Sequence, residues 1–423
     1  MKSRAYRATN VKDVDWQRLV LGRDGQEVTV GLDVGKDHVL CVLRWRSGEF
    51  ERPWRIRQPT DVRLVAERLA WLAQGRRLRV AMEPTGSYGD VLRQALAAHN
   101  LEVHRVSPKM AADFAEIFDG VPSQHDGKDA AVIAELAAQG RSWLWPWQLA
   151  SEADQEMEYQ VAWLDAQRRQ MMTWFGRLEA LLSRCWPEAS GIMRLRSGTL
   201  LKILAQYGGP AALAADPQAL QRIRAWGRSF LAKTRAEDLL ASAVATVGVL
   251  QGRWDQEKVR RCAAQVLECR QQQRAATRAL SRLAQGNPVI EAQASIVGTA
   301  TACVLWVHLG DPQHYHCGAA YRKAMGLNLA ERSSGKYQGK VKISKRGPAT
   351  VRRWLYLAAV RQVRSEPTRS WYARQKEARR GNGKPALVGI MRKLPPALYQ
   401  VGARRQTFAA DKLFSAEAQV QGR

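Results

Sequence analysis

Two runs of strand-forming residues in this chain contain or end in a carboxylate, and that placement limits its folds more than any other feature. Val28-Thr-Val-Gly-Leu-Asp33-Val-Gly-Lys36 carries Asp33, and Leu78-Arg-Val-Ala-Met-Glu83-Pro-Thr-Gly86 closes on Glu83. Dense β-branched and aliphatic residues predict strands, where an unpaired carboxylate is costly to bury. Asp126 and Asp129 open a helical pattern and, three residues apart, share one helix face. Taken alone, that pair caps a helix and offsets its dipole. Taken with Asp33 and Glu83, it makes a catalytic cluster the better reading. Carboxylates gathered in a fold repel by about 4 kcal/mol per pair at 4 Å and an effective dielectric near 20, so such a cluster usually holds divalent metal.

The surrounding pattern predicts an α/β sheet followed by helices. Val28–Trp45 reads as two strands around a Gly35-Lys36 turn, and Glu51–Arg57 as a third strand. Helices over Val62–Gln74, Tyr88–His99 and from Pro108 then alternate with strands at Leu78–Met82 and Leu101–Val106. A hairpin followed by alternation indicates a mixed sheet, in an order that resembles the ribonuclease H or RuvC-like fold. Residues 1–26 read as a polar leader, 27–150 as the sheet domain, 151–290 as a helical or coiled-coil connection and 291–423 as a basic, mostly helical domain. Ala236–Gln285 has no proline and suits a long helix, either as a coiled-coil arm or within an ordinary bundle, since its apolar spacing is irregular. Trp143-Leu-Trp145-Pro-Trp147 marks the junction, where aromatic clusters usually pack domains.

Charge identifies the class of partner. The 423 residues carry a formal +27, and from Gly318 to Arg423 there are 24 Lys and Arg against five Asp and Glu. Basic side chains gain affinity by releasing counterions from phosphates, so a polyanion is expected, with its footprint in the C-terminal quarter. The six cysteines lack zinc or disulfide spacing and fit a reducing cytosol. No apolar run approaches the roughly 18 residues of a membrane span and no signal peptide leads the chain, so no membrane is expected. The histidines form no convincing metal set, and His125 beside Asp126 reads as a loop or capping residue.

Ser295–Leu309 resembles a helix-hairpin-helix element, whose glycine turn lets backbone amides approach a phosphate. Downstream, Ser333-Ser334-Gly335-Lys336 leads through Lys340, Lys342, Ser344, Lys345 and Arg346 to a helix holding Arg352 and Arg353. A glycine-punctuated basic loop before a helix suits the gripping of backbone phosphates.

These motifs together resemble the DEDD-type transposases of the insertion sequence 110 family, whose relatives include Piv-type DNA invertases and bridge-RNA-guided serine recombinases. Gly31-Leu-Asp33, Met82-Glu83-Pro-Thr-Gly86 and Asp126-Gly-Lys-Asp129 are similar to its N-terminal motifs. Gly326-Leu327, Ser334-Gly335, Ile343-Ser-Lys-Arg-Gly347, Met391-Arg-Lys-Leu394 and Tyr399 follow in its C-terminal order. Three features depart from the family: Leu329 stands where proline is usual, Ser333 beside Ser334 leaves a second candidate nucleophile, and the connecting region is longer than the usual arm. The resemblance implies a RuvC-like catalytic domain and a serine transposase domain that cut and rejoin DNA. It implies Asp33, Glu83, Asp126 and Asp129 as ligands of Mg²⁺ or Mn²⁺, and Ser334, directly before glycine, as the nucleophile. Lys336, Lys340, Lys342, Ser344, Lys345, Arg346, Arg352 and Arg353 would contact nucleic acid. It further implies a structured non-coding guide RNA, a homodimer or tetramer, and a bacterial or archaeal cytoplasm, at the nucleoid.

Two rivals keep the same residues. A RuvC-like nuclease or junction resolvase would use water and need no serine. An architectural DNA-binding protein would use the carboxylates only to cap helices and pair with arginines. Fold alone does not separate these readings, but serine and carboxylate motifs together favour the recombinase.

Overall fold

The computed structural model describes residues 7–84, 86–118, 126–147, 150–331, 333–334, 337–339, 341–405 and 408–414, with only the backbone of 126, 333–334 and 337–338 described. The chain divides into two compact units, Met1–Leu149 and Ala150–Arg423.

The first unit is built on a seven-stranded mixed sheet. Its strands are β1 (Thr9–Asn10), β2 (Val28–Val34), β3 (His38–Trp45), β4 (Trp54–Arg57), β5 (Leu78–Met82), β6 (Val103–Arg105) and β7 (Trp143–Leu144), in the spatial order β1-β4-β3-β2-β5-β6-β7. The β2-β3-β4 meander is antiparallel, while β5 and β6 extend it in parallel from β2. That is the mixed topology the sequence pattern predicts. The segment read as a polar leader instead joins the sheet: Thr9–Asn10 pairs with Trp54–Arg55, and Val11 and Trp16 are buried. Its polar residues cover an edge while Lys12 pairs with the fully buried Asp61 at 3.1 Å.

Alternation along each strand makes two faces with different coverings. Val30, Leu32, Val39, Cys41, Val80 and Met82 pack against α2 (Val62–Ala73) and α3 (Asp90–Ala98), with α1 (Trp16–Val20) at the edge of the same core. Burying each Val or Leu there contributes about 1.5–3 kcal/mol. The opposite face, with Leu40, Val42 and Ala81, packs on α4 (Pro108–Ala115) and α5 (Asp126–Ala138). Gly31 sets the distance. A Cβ there would stand 2.0 Å from the Ala130 carbonyl oxygen and 2.6 Å from the Ala134 amide nitrogen. Only glycine on the strand and small residues on α5 permit this approach. Arg44 of β3 pairs with Glu135, and Arg79 of β5 donates to the Ala137 carbonyl at 2.8 Å, fixing the C-terminal end of the helix.

The second unit is helical. Two long helices, α6 (Glu152–Cys185) and α12 (Arg253–Leu283), pack antiparallel as an arm. Buried Val259, Cys262, Val266, Cys269, Ala276 and Leu280 repeat along α12 at three and four residues, with half-buried Gln273 in the remaining place. This is a heptad seam. Its apolar spacing is irregular in sequence because Cys, Ala and Gln occupy places where Leu or Ile would announce a coiled coil.

At one end of the arm, Phe175, Leu178 and Leu182 join a small bundle of α7 (Ala189–Ile192), α8 (Gly198–Tyr207), α9 (Pro210–Ala214), α10 (Ala219–Gly227) and α11 (Lys233–Val244). At the other, Met157, Val161 and Leu164 join α13 (Pro288–Val297), α14 (Thr299–Leu309), α15 (Gly318–Ala324), α16 (Ala349–Gln362), α17 (Thr368–Glu377), α18 (Gly383–Arg404) and α19 (Ala410–Phe414) around buried Tyr321. Among the described residues no helix is long and apolar enough to cross a membrane, and all six cysteines are unpaired.

Gly31→Ala is predicted to destabilise the protein by roughly 1–3 kcal/mol, the cost of overpacking, and a urea midpoint measures it. Strand propensity alone favours alanine over glycine, so a raised midpoint would mean that α5 does not rest on β2.

Candidate active site and basic hairpin

Parallel pairing places Gly31 level with Ala81 and Leu32 level with Met82. One residue further on, Asp33 and Glu83 lie at the carboxyl ends of adjacent strands, a usual location for sites in open α/β sheets. Asp33 has the parity of Gly31, and Glu83 that of Ala81, which places both on the face covered by α5. Asp129 stands one residue before Ala130, in the first turn of the helix that Gly31 admits so closely.

The electrostatics bind these three residues into one cluster. Burial raises the Glu83 pKa above the ordinary carboxylate range, and the charges of Asp33 and Asp129 raise it further. Asp126 begins α5, and its side chain lies outside the described residues. Among the described residues no three His, Cys, Asp or Glu side chains are near enough together to clasp an ion. The donor set is nevertheless all carboxylate, the chemistry that suits a hard divalent cation.

The motif alone does not reveal one contributor: Gly31, read only as part of it, is the contact that brings α5 to the strand.

In the second unit the predicted basic loop is a two-step antiparallel hairpin. β8 (Leu329–Ala330) pairs with β11 (Lys342–Ile343), and β9 (Ser333–Ser334) with β10 (Tyr337–Gln338). Ser334 faces Tyr337 in register beside the tip, while Lys336 and Lys340 lie outside the described residues. Exposed Lys342, Lys345 and Arg346 offer cations to solvent, and the Ser344 amide donates to the Asn328 carbonyl at 2.6 Å. Arg352 donates to the Gly347 carbonyl at 2.6 Å, and Arg353 pairs with Asp165 of α6. The last two thus hold structure together.

α13 and α14 form the expected helix pair around Gly298, whose φ of 79° suits glycine. Arg361 lies against that turn, donating to the Val297 carbonyl and to the Thr301 hydroxyl at 3.3 Å. The turn's own backbone is therefore already engaged by an arginine.

Comparison with known proteins names the family. A DEDD transposase model of the IS110 type matches residues 30–187, and a model of the transposase IS116/IS110/IS902 family matches 295–374. The "Insertion element IS110 uncharacterized 43.6 kDa protein" of Streptomyces coelicolor is 26% identical over 285 residues, 66% of this chain and 69% of that protein. Two Thermus thermophilus RuvC structures, one in complex with a Holliday junction substrate, overlap 28% of this chain and 99% of their own, at 12% and 16% identity and TM-scores of 0.22. At that score the overlap carries no argument, and the fold rests on strand order and register. The chain belongs to the IS110 family of insertion-sequence transposases, enzymes that cut and rejoin DNA.

Because burial and like charge raise Glu83, its protonated form favours folding. That contribution is present below the ordinary glutamate pKa and is lost as pH rises through the raised value. Glu83→Gln is therefore predicted to raise the melting temperature in chelator at pH 7.5, with the gain shrinking below the carboxylate range. Thermal scans at both pH values check this, and a variant less stable at pH 7.5 would contradict the cluster.

Proposed function

We propose that the chain recombines DNA through a covalent serine intermediate, with Asp33, Glu83, Asp126 and Asp129 holding Mg²⁺ or Mn²⁺ and Ser334 as nucleophile. The observation that carries the metal half is the raised Glu83 pKa: crowded carboxylates at strand ends gain most from a divalent cation. When bound, the metal supplies Lewis-acid stabilisation of charge on the phosphate oxygens. The serine half rests on family membership and on the place of Ser334 beside the tip of a basic hairpin.

In the proposed step Ser334 Oγ bonds to phosphorus as one deoxyribose–oxygen bond to that phosphorus breaks. The serine proton leaves to solvent or a neighbouring base, and the departing deoxyribose oxygen gains one. A second strand's hydroxyl then attacks the phosphoserine, restoring a phosphodiester and freeing the serine, so that bond energy is conserved for rejoining. Lys336, Lys340, Lys342, Ser344, Lys345 and Arg346 would position the backbone, since phosphate contacts fix register without reading sequence. Arg352 and Arg353 would support that contact through the helix that carries them.

We also propose a structured guide RNA and a homodimer or tetramer. The positive excess after Gly318 supports a second polyanion, and the long arm supports assembly between copies. The rival reading, a nuclease using water, is favoured by the carboxylate cluster taken alone.

Trapping denaturant-resistant protein–DNA adducts and mapping the nucleotide remnant by peptide mass spectrometry tests the mechanism. Asp33→Asn, Asp129→Asn and chelation are each predicted to lower strand cleavage on the order of a thousandfold or more, as when a co-operating catalytic group is removed. Ser334→Ala is predicted to abolish both adduct and strand exchange. Cleavage that continues in Ser334→Ala without an adduct would assign the chain to the water-using nucleases.

A further inference from the structure

The bundle at the far end of the arm carries a surface that the transposase reading does not use. The arm residues buried with that bundle, Phe175 to Leu182, lie about 18 residues further along α6 than Met157–Leu164, so about 1.5 Å per residue separates the two ends by roughly 27 Å. Two adjoining cavities, of about 580 and 500 Å³, open on this bundle and share Leu231 in their walls. Arg194, Arg196 and Arg235 line the larger, and Arg224 and Arg228 the smaller. Phe230, in the larger cavity's rim, is 95% exposed.

Two properties make this patch a candidate site. Some arginines of the second unit, Arg222 of this bundle among them, are matched by carboxylates. Arg194, Arg196, Arg224, Arg228 and Arg235 make no ion pair in the described structure, although Asp216 and Glu237 lie on the same bundle. Those two acids are engaged by Arg222, Tyr207 and Lys233. The second property is Phe230 itself. An exposed phenylalanine amid cations gains nothing from folding, since neighbouring Leu231 already supplies the apolar packing against the bundle core.

We propose that this face binds nucleic acid at an unpaired segment, with the five arginines on consecutive phosphates and Phe230 stacked on one base. Arginines free of carboxylates track a backbone, and an aromatic face accepts any base. A duplex keeps its bases stacked internally and offers Phe230 nothing, so the ligand is single-stranded or looped, as DNA or RNA. The site goes beyond the catalytic reading and depends neither on metal nor on the serine hairpin.

Fluorescence anisotropy tests it with the full-length protein in chelator, using matched 20-nucleotide DNA and RNA single strands, hairpin loops and a blunt duplex. Asp33→Asn serves as a background in which cutting is disabled. Phe230→Ala should weaken single strands and loops by about tenfold, the usual effect of one lost stacking contact, and leave the duplex within about twofold. Phe230→Tyr should restore the loss. Arg224→Gln with Arg228→Gln should weaken every probe and lower the slope of log affinity against log salt by about 1.4 to 1.8. Preference for RNA or for DNA supports the site and identifies its ligand. Unchanged affinities and salt slopes in both sets of variants, with melting temperatures equal to the parent, would overturn it. Equal weakening of duplex and single strand by Phe230→Ala would overturn the stacking role. Failure of the proposed serine chemistry would alter none of these readings.

Discussion

The close seating of α5 on β2 is the constraint on which the catalytic half depends. A helix resting on a sheet through large side chains would stand off by several ångströms more, and Asp129 would then face solvent instead of the strand-end carboxylates. Gly31 removes that spacing on the strand side, and Ala130 and Ala134 remove it on the helix side. Arg44–Glu135 and Arg79 with the Ala137 carbonyl then anchor the far end of the helix. The resulting proximity is electrostatically unfavourable, because Glu83 ionises against both burial and its neighbours. Stability is given up locally to hold like charges together, the usual signature of a site arranged for a cation.

Much of the first unit was legible because its signals are local. β5 over Leu78–Met82, α2 from Val62 and α4 from Pro108 coincide with runs of apolar periodicity or with a helix-starting proline. Thr9–Asn10 and Trp143–Leu144 were not, because two-residue edge strands carry no periodicity and are defined only by the neighbour they pair with. The same limit explains the hairpin around Ser334, whose strands are two residues each and mostly polar. Asp33, Glu83 and Asp129 could be picked out as types and positions. Their union needed the parity of parallel strands, and that is a property of register.

The arm shows how composition conceals a regular pattern. Along α12 the buried positions keep a heptad spacing, yet Cys262, Cys269 and Ala276 are small or weakly hydrophobic, and Gln273 bonds Met171 across the seam at 3.7 Å. Small residues let the two helices approach closely over their length, so packing density replaces the large apolar side chains of a conventional zipper. The two ends of the arm are then buried in different cores, one with the α13–α18 domain and one with the α7–α11 bundle. A rigid pair anchored at both ends transmits position between them far better than a flexible linker of equal length would.

The same cationic residue serves opposite purposes along this chain, and net charge does not distinguish them. Arg93 lies over the rings of Trp145 and Trp147, at 3.5 and 5.1 Å to their centroids, while also bonding Asp90. Arg353 pairs with Asp165, and Arg361 closes the Gly298 turn. These arginines are construction material: their planar heads suit stacking and multiple acceptors, which lysine would not reproduce. Asp90 and Asp165 offset the charges of Arg93 and Arg353, whereas Arg361, bonded to a carbonyl and a hydroxyl, still adds its charge to the far field that draws a polyanion toward the protein. The contact surface is a different quantity, set by the cations left without internal partners. On that measure the exposed cations of the basic hairpin and of the arm-end bundle remain, apart from Arg196, which lies over the Phe175 ring, while half-buried helix arginines within the same high charge count drop away. Attraction and grip are therefore separable in this molecule, the first shared by many residues and the second confined to few.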